Sequence, residues 1–258
     1  MQFSKYELWF LLTQMHPVAL IGFRNPMAGV LTEDMFPIAQ EASFSLLDKD
    51  LIYAEEGKIK MRDDIAKMVS SIAAPIHTIL IGQRIGDTPK ETTRSINFNG
   101  SQIALLEELV TGNYIIKIVD TKEDLMDLLI EAFSSSIFWS PDTDSLTVPQ
   151  DKIVFMQNLN REISHKEAEE IMRAMEGDEQ SKKHLVETLQ SPKIRYSFVM
   201  FAYRNDSRKN SVQGFSVTAG ERYIWMMEIA DEAKKNVSVS KTTIKEINKK
   251  INMLIPLE

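Results

Sequence analysis

Side chains able to do chemistry are few in this sequence, and they do not gather. Four histidines, His16, His77, His165 and His184, lie scattered, and none sits in a metal-ligand pattern such as HExxH. Cysteine is absent, which removes disulfides, thiolate metal sites and a cysteine nucleophile, and fits a reducing cytoplasm. Gly100 and Gly220 are isolated turn glycines without the glycine-rich loop that cradles a phosphate. Aspartate and glutamate number 37, but they fall in helix first turns and on exposed faces, where they favour the helix dipole and solubility. No catalytic residue, metal ligand or cofactor is assigned, so a functional reading cannot rest on visible chemistry. Methionine is frequent, at 14 residues. Trp225-Met226-Met227 has two readings, a core strand or an adaptable thioether-rich contact with a partner.

The elements that must position a binding surface are outlined twice. From Pro75, an apolar strand (Thr78 to Gln83) leads through a polar loop to Ser95-Ile96-Asn97-Phe98 and a turn at Asn99-Gly100-Ser101. The run Ile103 to Val110, a strand from Tyr114 to Val119 and a helix from Thr121 to Phe133 follow. From Pro192, Tyr196 to Tyr203 leads through a polar loop to Phe215-Ser216-Val217-Thr218 and a turn at Ala219-Gly220-Glu221. Arg222 to Ile229, Val237-Ser238-Val239 and a helix capped at Thr242 or Thr243 then follow. Proline to glycine spans 25 residues in one copy and 28 in the other, and glycine to cap spans 21 and 22. This predicts two pseudo-equivalent halves, residues 1–140 and 141–258, with the serine-rich run at Ser134 to Ser136 and the Ser140 to Ser145 segment marking the join.

Composition bounds the rest. A chain of 258 residues buries roughly 70 to 75% of its unfolded surface and needs no staple. A formal charge of −7 disfavours nucleic acid, since phosphate contacts need a basic face. The amino terminus lacks a signal-peptide pattern, and the apolar run around Met15 to Phe23 falls well short of the ~20 residues a membrane helix needs. A soluble, cytoplasmic protein without membrane insertion is expected.

Local signals fill in the order. Ser4-Lys5-Tyr6-Glu7 is a capping box opening a helix whose Tyr6, Trp9, Phe10 and Thr13 recur at helical spacing before Pro17. Asn25 to Pro37 reads as a connection with a turn of helix at Thr32 to Met35. A helix begins at Ile38, and Phe44, Leu47, Leu51 and Ile52 line one face. A β-hairpin with its tip at Glu55-Glu56-Gly57 and a helix from Asp63 to Pro75 complete a winged-helix-like element. Its tip and preceding helix are acidic where a DNA reader needs lysine or arginine. Ile153 to Leu159 reads equally as strand or helix. A capping box at Ser164 to Glu167 and a helix from Gln180 to Leu189 run to Pro192 as Asp63 to Ala73 runs to Pro75.

One series of residues resembles a known family. Leu47-x-x-x-Leu51-Ile52, Glu56-Gly57-x-Ile59, Ala74-Pro75, a long polar loop, Gly112-x-Tyr114 and Gly220-Glu221-Arg222-Tyr223 are similar in order to the ESX secretion-associated EspG family, the cytoplasmic chaperones of type VII secretion. The resemblance implies an α+β fold, with a central, mostly antiparallel sheet built from two related halves and helical bundles around it. It implies a non-enzymatic chaperone that binds a helical secreted protein, of the WxG/LxG or PE-PPE-like kind, through sheet surface, a strand-connecting loop and C-terminal helices.

Carried onto this chain, the loop is Arg84 to Arg94, at eleven residues longer than an ordinary hairpin connection. Its Arg84, Ile85, Thr88, Pro89 and Arg94 become candidate partner-binding residues. Arg204 and Arg208 of the second-half loop, suited to steering an acidic partner, and Trp225 join them. Two other functions compete: a winged-helix transcriptional regulator whose second half binds a ligand or dimerises, and an immunity or scaffold protein whose sheet covers a toxin.

Overall fold

A computed structural model describes all residues except 18–19, 87–90, 101, 122, 126, 128–144, 159–163, 204–210, 232–234 and 256–258. The protein is α+β, with a large antiparallel sheet flanked by helices. Two compact units divide the chain: residues 1–80, 92–124 and 200–212 form the first, and 81–91, 125–199 and 213–258 the second. Strands β4 (His77–Ile85) and β9 (Ile194–Ala202) contribute residues to each. The expected join near residue 140 lies outside the described residues.

In the first unit, β1 (Gln2–Phe3) and α1 (Lys5–Gln14) open the chain, and α2 (Thr32–Asp48) follows. The hairpin β2 (Ile52–Glu55) and β3 (Lys58–Met61) leads to α3 (Asp63–Ala73). The sheet strands run β1-β7-β6-β5-β4-β9, where β5 is Thr92–Asn99, β6 Gln102–Glu108 and β7 Tyr114–Val119. The Ser4 capping box forms in full, with the Ser4 hydroxyl accepting from the Glu7 amide and the Glu7 carboxylate accepting from the Ser4 amide. α1 buries Leu8, Leu11 and Leu12, while α3 buries Ile65, Val69 and Ile72. Both stripes join a core with Ala104, Leu106, Tyr114 and Ile116 of β6 and β7.

Two expectations for this unit change. Pro37 lies inside α2, not ahead of it. It removes one backbone donor and crowds the preceding turn, but Glu33 and Asp34 in the first turn complement the positive end of the helix. Ala42 and Leu46 anchor the helix in the core. Phe44 therefore points away from the buried face and is 55% exposed, because two residues along a helix is a turn of about 200° from Ala42 or Leu46. Helix, hairpin and helix occur in the expected order, with Glu56 and Gly57 at positive φ in a two-residue turn.

In the second unit the strands run β4-β9-β10-β11-β12-β8, with β8 Ser145–Pro149, β10 Ser211–Ala219, β11 Ile224–Asp231 and β12 Asn236–Lys241. Its helices are α4 (Gln150–Asn158), α5 (His165–Ala174), α6 (Glu179–Gln190) and α7 (Ile244–Leu254). The ambiguous stretch at Ile153 is thus helical. β8 was not anticipated, and it pairs Leu146 with Val239 and Val148 with Val237. Ile171, Met175, Leu185 and Leu189 pack with Trp225, Met227 and Val239.

Within the units, α3, Pro75 and β4 to β7 repeat the order of α6, Pro192 and β9 to β12. The two turn glycines serve different ends. Gly100 adopts φ +59° between the paired Asn99 and Gln102, a conformation that favours glycine. Gly220 has no positive φ; a Cβ there would crowd Thr188 of α6 at 3.2 Å.

Candidate partner-binding site

The end of β4 carries the expected site. Its Thr78, Ile79, Ile81 and Gly82 are buried, Gln83 and Arg84 half-buried, and Ile85 is 61% exposed. A single exposed isoleucine is common on protein surfaces, and it gains burial where a partner covers it. Gly86, at φ +56°, donates its amide to the Lys193 carbonyl at 2.8 Å, which fixes where the chain leaves the strand.

On the face of β4 that carries Gly82 and Arg84 lies a polar cavity of about 240 Å³, lined by Gly82, Arg84, Glu91, Arg195, Tyr196, Ser197, Ser216 and Thr218. Gly82 makes it possible: a Cβ there would strike the Glu91 carboxylate, and the Ser197 hydroxyl at 2.5 Å. Glycine inside a strand often marks such a close approach. Gln83 donates to the Tyr196 hydroxyl at 3.1 Å, and Arg195 donates to the Leu189 carbonyl at the end of α6 at 3.2 Å. Two guanidinium groups, one carboxylate and four hydroxyls suit carbonyl and carboxylate oxygens of a bound segment.

The remaining predicted residues fall elsewhere. Arg94 lies on β5, where its guanidinium binds Glu107 of β6 at 2.9 Å, half-exposed. Trp225 is fully buried in the second unit's core, so its side chain takes the core reading, and Lys241 stands 5.6 Å above its ring. Thr88, Pro89, Arg204 and Arg208 lie outside the described residues. Sequence reading missed Glu91, Arg195, Ser197, Ser216 and Thr218. Only Gly82, an isolated glycine in an apolar strand, signalled them.

The other titratable clusters are structural. Glu7 is 2% exposed, and its carboxylate accepts from the Ser4 amide at 2.7 Å, the Ser45 hydroxyl at 2.6 Å and the Lys49 ammonium at 2.6 Å. Burial alone would raise its pKa, but these hydrogen bonds hold it below the ordinary value. A cleft of about 580 Å³ opens beside it between α1 and α2, lined by Tyr6, Ile38, Glu41 and Lys49 among others. His184 stacks on Tyr223, with ring centroids 4.3 Å apart. Burial, and then the nearby Lys241 charge, push its pKa down. His165 faces Glu169 at 3.2 Å on the surface of α5. Among the described residues no group of three or more His, Asp or Glu is placed to hold a metal ion, and no helix is long and apolar enough to cross a membrane.

At the β2–β3 hairpin, Lys60 pairs with Glu55, and just after it Arg62 pairs with Asp64 at 2.6 Å. The exposed tip sets Glu55 and Glu56 beside Lys58 and so carries no basic excess of the kind phosphate contacts need.

Comparison with known proteins gives a family and a fold. The model of the family described as "Uncharacterised protein YfjC" matches residues 30–251. No curated protein matches the chain. Fourteen chains of solved structures match it. Among them is the type VII secretion system chaperone EspG5 of Mycobacterium tuberculosis, solved in complex with a PE25-PPE41 dimer. It aligns with a TM-score of 0.66 at 12% identity over 98% of this chain and 95% of that one. At this identity the likeness is one of fold.

Proposed function

We propose that this chain, which belongs to the YfjC family, is a non-enzymatic cytoplasmic chaperone or adaptor for a helical substrate of a type VII-like secretion system. The observation that carries this reading is a fold shared end to end with a type VII secretion system chaperone solved in complex with a PE25-PPE41 dimer. Fold alone does not assign a function, and the site supplies the second support. Ile85 offers apolar surface at the end of β4, and the cavity on the Arg84 face of the same strand offers guanidinium and hydroxyl donors for backbone or carboxylate oxygens at the end of a helix. Arg84 and Ile85, at the end of β4, are the contacts we assign first, and Thr88 and Pro89, next along the chain, are proposed to join them. Arg94, Arg204 and Arg208 are proposed as further basic contacts. Trp225, buried in the second unit's core, is not assigned a direct contact. The partner is a helical secreted protein of the WxG/LxG or PE-PPE-like class, and the repeated element order reflects duplication of halves 1–140 and 141–258.

Co-expression with such a helical protein tests the reading. The substrate is expected to stay soluble and to co-purify with the chain, and to lose both properties when Ile85→Asp is introduced. A substrate that stays soluble and monomeric whether or not the chain is present would remove the proposal.

A further inference from the structure

Helix α2 carries an outward face that neither the fold nor the candidate site uses. It packs on α1 and β2 through Ala42 and Leu46. Away from that contact, Phe44 on the opposite side is 55% exposed and Phe36, to one flank, 73%. Eight residues separate the two rings, about 12 Å along the axis at 1.5 Å per residue. At about 100° per residue they fall within about 80° of each other around the helix, a single stripe two turns long. Exposed Glu33 lies within the stripe and exposed Glu41 and Asp48 border one side of it, and no lysine or arginine occurs between Thr32 and Asp48.

Aromatic side chains cost solvation free energy when left in water, so a pair on one stripe points to an occupant. The acidic charges choose among occupants. A second copy would bring the same acidic residues against them, and an anionic lipid surface would be repelled. We infer that the outer face of α2 docks a basic amphipathic helix of a partner protein, whose apolar stripe covers Phe36 and Phe44 while its lysines or arginines meet Glu33, Glu41 and Asp48. This mode pairs helix against helix through anchors two turns apart, with rim charges setting orientation and approach rate. The site is separate from Ile85 and the β4 cavity, and stands whether or not the secretion reading does.

The test uses the full chain and a synthetic Leu/Lys amphipathic helix of about 18 residues, read by fluorescence anisotropy, beside the same peptide with Glu in place of Lys. The basic peptide is expected to bind and the acidic one not to. Phe36→Ser with Phe44→Ser, which leaves the charge unchanged, should weaken binding about tenfold or more. Glu33→Gln, Glu41→Gln and Asp48→Asn together should weaken it and flatten its dependence on salt. Ile85→Asp and the remote Glu170→Gln should leave it unchanged. Far-UV circular dichroism and a melt confirm folding, and Phe36→Ser alone, at the most exposed position, serves if the double variant does not fold. Equal binding by folded Phe36→Ser and parent, or no binding of the basic peptide, overturns the inference. Concentration-dependent dimers or adsorption to anionic vesicles that vanish in the Phe variants would overturn it in favour of another occupant.

Discussion

Replacing Ile85 with aspartate separates binding from folding. Full burial of an isoleucine side chain is worth about 1.5–3 kcal/mol. Ile85 is 61% exposed, so a partner that covers it gains roughly 1–2 kcal/mol of that total. Aspartate forfeits this gain and adds a carboxylate that a covering partner must desolvate, a further penalty of about 1–3 kcal/mol. Together these predict a loss of about 2–5 kcal/mol, or roughly 30- to 4000-fold in Kd at about 1.4 kcal/mol per tenfold. Folding should change by less than about 0.5 kcal/mol, because the residue is exposed at a strand end. Isothermal titration calorimetry with a co-purifying helical substrate, beside urea denaturation of the free proteins, reads both quantities. Unchanged affinity would refute the site, and a fall in stability equal to the loss in binding would refute the separation.

Three further outcomes follow from the same packing. Gly214→Ala should destabilise the chain by about 1–3 kcal/mol in urea, because its Cβ would land on the Phe198 backbone carbonyl. Gly82→Ala, which meets only movable ends of Glu91 and Ser197, should change stability by less than about 1 kcal/mol while weakening substrate binding. Glu7→Gln should cost about 1.5–3 kcal/mol near neutral pH. The lowered pKa of Glu7 gives stability that is present above the carboxylate's unfolded value and is lost as pH falls through the folded one, so the variant should show a shallower acid limb in pH-dependent melts. His184, whose pKa lies below its ordinary 6.5, contributes no pH dependence above that value. It makes stability fall as pH drops through 6.5 toward the folded value, and His184→Gln should abolish that loss.

Features fixed by a few neighbouring residues were legible in the chain. The capping boxes at Ser4 and Ser164 close over three residues, and both form. The Glu56-Gly57 turn and the apolar spacing of Ile65, Val69 and Ile72 are local in the same sense. Non-local pairing was not legible. β8 follows a polar run, and its ladder partner β12 lies about ninety residues later, so nothing near Leu146 announces Val239. Pro37 was read by the local rule that proline ends helices, but the acidic first turn and the burial of Ala42 and Leu46 outweigh it. Exposure of Phe44 depends on which side of α2 meets α1, a tertiary fact. The cavity gathers residues of β4, β9 and β10, so the sequence pointed to Arg84 and Ile85, expected in the Arg84 to Arg94 loop, and left Arg195 and Ser216 unseen.

The central claim is that this chain holds a helical secreted protein and makes or breaks no bond. Light scattering on a size-exclusion column, applied to the chain co-expressed with a helical type VII-like substrate, tests it most directly. The account predicts a stable complex of defined stoichiometry that Ile85→Asp dissociates into its components. Separate elution of parent chain and substrate, with the substrate equally soluble alone, would contradict it.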